Sequence, residues 1–135
     1  MRHLLIVTAA IEGGAGIALM GRPSAVATLL VGAPLETLAA VSVARVGAAA
    51  LLALGVACGL ARDDTQHSAA RGLVVAMLIY NVGAAIVLRA AGIGMQPVGI
   101  ALWPAVMLHA AMAGWCTACL LRAPRRGESP SSRPF

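Results

Sequence analysis

Four long apolar stretches, each interrupted by few polar positions, dominate the chain: about 3–21, 37–61, 70–91 and 97–121. Each is close to the ~20 residues that an α-helix needs to cross a bilayer core, and each stands out in the ~19-residue hydropathy window suited to such segments. The connections "RPSAVATLLVGAPLE", "RDDTQHSA" and "GIGMQ" carry the Pro, Gly, Asp and Ser expected of breaks between helices. The first is itself apolar in "AVATLLVGA", so it is expected in the membrane interface or as a short re-entrant helix. Residues 122–135, "RAPRRGESPSSRPF", have no hydrophobic period and read as a disordered basic tail. The pattern predicts an all-α membrane protein, a four-transmembrane-helix bundle over residues 1–121 followed by that tail.

Composition agrees. Apolar residues make up 60% of the 135 residues and charged ones 11%, against about 45–50% and about 25% in soluble domains. Mean hydropathy is +0.88. All ten basic residues are arginine, the composition of a GC-rich bacterial source. The side holding the N-terminus, the second connection and the tail carries Arg2, Arg62, Arg71, Arg122, Arg125, Arg126 and Arg133, and the opposite side carries Arg22 and Arg89. By the positive-inside rule both termini are cytoplasmic in a bacterial inner membrane. The net charge of +5 therefore reads as topology signal; no basic helix face with interleaved aromatics points to nucleic acid. A signal-peptide reading of "MRHLLIVTAAI…SAVAT" is disfavoured by Glu12, because the apolar region of such a peptide is normally uncharged.

Glu12 is the position that needs explaining. A central ionisable residue costs about 2.5–3.5 kcal/mol on the insertion scale, while the first span's eight strong apolar residues return roughly 4 kcal/mol. Glu12 should therefore be protonated or paired. Counted from the span ends, Glu12 and Arg45 lie about 13 and about 12 Å from one face, and Asn81 and His109 about 15 and about 18 Å. One polar residue per helix thus falls near the midplane, and a Glu12–Arg45 pair completed by Asn81 and His109 is expected. Such a layer is a register lock, a proton relay using His109, or a ligand site, since intramembrane ionisable residues mark such sites by default.

Smaller signals add little. Gly55-x-x-x-Gly59 is a spacing that lets two helix backbones approach closely. Cys58, Cys116 and Cys119 are weak candidates for thiol or metal chemistry, and buried cysteine more often packs as a small hydrophobe. An odd cysteine count speaks against a disulfide framework. His3 and His67 lie at the membrane edge, which disfavours a bis-histidine haem. No nucleophile arrangement, paired carboxylates, HExxH or phosphate loop appears, so neither a catalytic residue, a metal nor a cofactor is assigned. Pro104, after Trp103, is expected to kink the fourth span.

The succession Glu12-x-x-x-Gly16-x-x-Leu19, Pro23, "LLVG", "ARVGAAALLALGVACGLA", "LIYN" and "GIALWPAVMLH" resembles that of small uncharacterised four-helix inner-membrane proteins of bacteria, over nearly the whole chain before the tail. The resemblance places Glu12, Arg45, Tyr80, Asn81, Trp103, Pro104 and His109 on motif positions and implies no activity. The architecture is also loosely similar to DoxX-like four-helix proteins, which are linked with quinone and redox partners. The sequence is thus expected to encode a non-enzymatic structural or accessory bundle, with the bilayer and either a second copy or another membrane protein as partner. The alternatives are a proton- or small-solute-handling protein and, after that, a redox component.

Overall fold

The structure is a computed structural model describing residues 1–63, 68–94 and 98–122; residues 123–135 of the tail and His67 lie outside the described residues. It is an all-α membrane bundle, with four helices long and apolar enough to cross a membrane and one short helix between the first two. Helix α1 (Arg2–Gly21) rises from what we call the near end, and α2 (Pro23–Val31) follows at the far end. Helix α3 (Leu38–Ala61) returns, α4 (Ser68–Gly94) rises again, and α5 (Leu102–Arg122) ends at the near end.

Local chemistry sets these boundaries. Pro23 stands in the first turn of α2, where its missing N–H costs nothing. Gly32 ends that helix in the left-handed conformation, φ 81°, which a residue without Cβ adopts freely. Ser24 Oγ donates to the Leu35 carbonyl at 3.3 Å, folding the following loop back onto α2. Thr37 caps α3 by accepting from the Ala40 amide at 3.1 Å.

The apolar first connection is the nine-residue helix α2, too short to cross a membrane. The fourth span begins at Leu102, later than the composition indicated. Gly99 N–H donates to the Leu30 carbonyl (3.2 Å) and Ala101 N–H to the Leu29 carbonyl (2.9 Å). Those carbonyls are among the last of α2, which lack donors inside their own helix, and they hold residues 99–101 out of helical conformation. Pro104 consequently falls in the first turn of α5 and kinks nothing.

The helices pack as two antiparallel hairpins, α1 with α3 and α4 with α5. Small residues seat the first: a Cβ on Gly55 would lie 2.9 Å from the Gly13 amide nitrogen, and one on Gly16 would lie 2.7 Å from Leu52 Cγ. Gly59 faces the Ala9 methyl at an ordinary contact distance. Apolar surface gives no drive for association in lipid, so close backbone approach of this kind must supply it. In the near half Leu4, Leu5, Cys58, Val74, Met77, Met112 and Cys116 form one buried apolar plug that joins the hairpins. Large apolar side chains such as Ile17, Val46, Val56, Ile79 and Met107 point outward, as a hydrocarbon surround requires. At the near rim Arg2 and Arg62 both reach Asp63, at 3.3 and 3.2 Å.

Candidate functional site

Glu12 is only 3% exposed, and no ion pair to it occurs among the described residues. The Tyr80 hydroxyl of α4 is the polar group beside its carboxyl. Tyr80 in turn sets its ring edge against His109 of α5, with centroids 5.6 Å apart and planes at 83°. His109 Nδ1 lies 2.9 Å from Asn81 Oδ1, and Asn81 Nδ2 donates to the Met77 carbonyl one turn earlier at 2.8 Å. Three helices therefore contribute to one cluster of Glu12, Tyr80, Asn81 and His109, and most of these side chains meet another across a helix interface.

Arg45 is not among them, which corrects the expected Glu12–Arg45 pair. It is exposed, and the ion pairs among the described residues are the two at Asp63. The register of the first hairpin gives the reason. Ala9 stands against Gly59, Gly13 against Gly55 and Gly16 against Leu52, so Glu12 is level with Gly55 and Val56. Arg45 falls about 15 Å beyond, at 1.5 Å rise per residue. Because α2 occupies the connection, α3 starts well past the end of α1, and depth counted from the span ends is misaligned by that amount.

An elongated cavity of about 470 Å³ occupies the far half, between the hairpins and under α2. Glu12, Tyr80 and His109 are its polar lining residues, and every other lining side chain is aliphatic. The lining runs from Ile11 to Leu19 on α1, from Tyr80 to Leu88 on α4, and from Ala101 to His109 at α5. The polar residues are thus at the near-side limit of all three, which is a blind end closed by the apolar plug. Val26, Leu29 and Leu30 of α2 form the far wall. Val87 lines the cavity and is also 67% exposed.

The remaining candidates lie elsewhere. Trp103 and Pro104 are exposed at the start of α5, with Trp103 packed near Gly92. Cys58 and Cys116 are buried within the plug and Cys119 is half-buried beside it. No group of three or more His, Cys, Asp or Glu that could hold a metal ion occurs among the described residues. Thr8, one turn before Glu12, was not singled out from the sequence; it is buried with an unpartnered hydroxyl. The fold and site together define the class, an integral multi-pass all-α bundle with a polar-ended internal cavity. No family model, curated protein or solved structure matches the chain.

Proposed function

We propose that this is a small-solute-binding protein of the bacterial inner membrane, with both termini cytoplasmic. A largely apolar molecule occupies the far-half cavity, and its polar end meets the Glu12–Tyr80 and His109–Asn81 pairs. One observation carries this reading: three titratable side chains from three helices converge at the blind end of an otherwise aliphatic cavity. The size falls in the range of about 300–1,000 Å³ typical of small-molecule sites. The near-half plug argues for binding over conduction, because no chain of polar groups continues through Leu4, Leu5, Met77 and Met112. The exposure of Val87 in the cavity wall favours a molecule drawn from the bilayer. The arginine distribution supports the orientation, and the sequence resemblance supports a place among small four-helix inner-membrane proteins.

The test is chemical extraction of the protein purified in nanodiscs, alongside Ala84→Phe, which fills the cavity from a small lining position. The wild type should release a bound apolar molecule in near-stoichiometric amount, and the variant should release none while melting at a similar temperature. Equal, negligible release from both, with no thermal shift by added amphiphiles, would leave the polar cluster as a device for helix register.

A further inference from the structure

The hydrogen-bond inventory of the cluster specifies the head group. Asn81 Nδ2 donates one hydrogen to the Met77 carbonyl, and Oδ1 is the atom facing His109, which can only accept. The proton shared between Asn81 Oδ1 and His109 Nδ1 must therefore sit on Nδ1. In the neutral ring this leaves Nε2 as a bare lone pair, with no hydrogen-bond partner among the described residues, on a side chain that lines the cavity. The Tyr80 hydroxyl stands beside the Glu12 carboxyl. What remains to greet a ligand is a surplus of acceptors: His109 Nε2, the Tyr80 oxygen and the lone pairs of Glu12. The nearest ion pairs lie at the near rim around Asp63, so among the described residues no cation answers the carboxyl group.

We infer that the cavity selects an amphiphile whose head donates hydrogen bonds, an amine above an alcohol, and rejects carboxylate heads and heads that only accept. This rests on the cavity being a binding site. A protonated amine offers several donors to these acceptors and supplies the counter-charge for Glu12, with the Tyr80 ring adjacent as a further cation-attracting face. An alcohol satisfies one acceptor. A ketone or ester brings another acceptor to a site already in excess, leaving buried lone pairs unmatched, and a carboxylate brings a buried charge that no cation meets among the described residues.

The experiment is native mass spectrometry of the intact chain released from nanodiscs equilibrated with decylamine, decanol, methyl decanoate and decanoate at equal concentration. Decylamine and decanol should exceed methyl decanoate and decanoate by about tenfold in adduct intensity, the effect of one or two hydrogen bonds gained or lost. Glu12→Gln should erase most of the preference of decylamine over decanol while keeping decanol bound. If methyl decanoate or decanoate binds as well as decylamine, the head-group assignment is wrong and the cavity reading survives. An amine preference unchanged in Glu12→Gln equally overturns the assignment. Absence of every adduct, in wild type and Ala84→Phe alike, sinks the cavity reading itself.

Discussion

Thr8 lies one turn before Glu12 on the inward face of α1, fully buried, its hydroxyl without a partner among the described residues. Set between the apolar plug and the polar cluster without reaching a partner in either, that hydroxyl gains nothing for the desolvation it undergoes. Thr8→Val, nearly isosteric, should stabilise the protein by about 1 kcal/mol, read as a raised melting temperature in nanodiscs. Arg45 makes the opposite case: it is exposed and far from Glu12, so Arg45→Gln should change stability by less than about 0.5 kcal/mol. A destabilisation of several kcal/mol in the same melting assay would restore a role for the charge in the fold. Glu12, Asn81 and His109 could be singled out in the sequence because each is expensive in an apolar helix. That Tyr80, and not Arg45, answers Glu12 could not be seen there. Cost identifies a residue that needs a partner, whereas helix register and rotation choose the partner.

At the scale of elements, the glycines of α3 are unequal. A side chain at Gly55 would press on the backbone of α1 near Gly13, whereas one at Gly59 meets only the Ala9 methyl at 3.8 Å. Gly55→Val should therefore cost about 1–3 kcal/mol through overpacking, while Gly59→Ala stays close to wild type in the same thermal unfolding series. The strap between α2 and residues 99–101 also depends on a glycine, because a Cβ on Gly99 would overlap the Leu29 carbonyl. Gly99→Ala should loosen α2 without melting the bundle, so amide hydrogen exchange should rise across Pro23–Val31 and stay unchanged in α1 and α3. The four spans were legible because twenty apolar residues in a row have few other uses. The late start of α5 was not, since "GIALW" is equally apolar whether it continues a helix or supplies amides to α2.

At the scale of the whole molecule, two hairpins share a closed near half and a hollow far half. Neither hydropathy nor composition distinguishes those halves, because Ala, Leu and Val line the cavity and fill the outer surface alike. What the sequence lacked was the pairing of helices, which decides whether a run of small residues becomes a tight seam, as at Gly13 and Gly55, or a void, as at Ala15, Ala84 and Ala105. The same unevenness has a mechanical consequence. The bundle is stiff within each hairpin and fastened between hairpins by the plug at the near end and by the strap from α2 to residues 99–101 at the far end, so its softest deformation is a splaying of α1 from α4 between those two fastenings. That splaying changes cavity volume without breaking a close contact, and the surrounding lipid presses directly against it. Occupancy of the cavity should consequently respond to lateral pressure. Binding measured in vesicles whose acyl chains differ only in unsaturation should vary for the wild type, and a cross-link joining the far ends of α1 and α4 should abolish the variation.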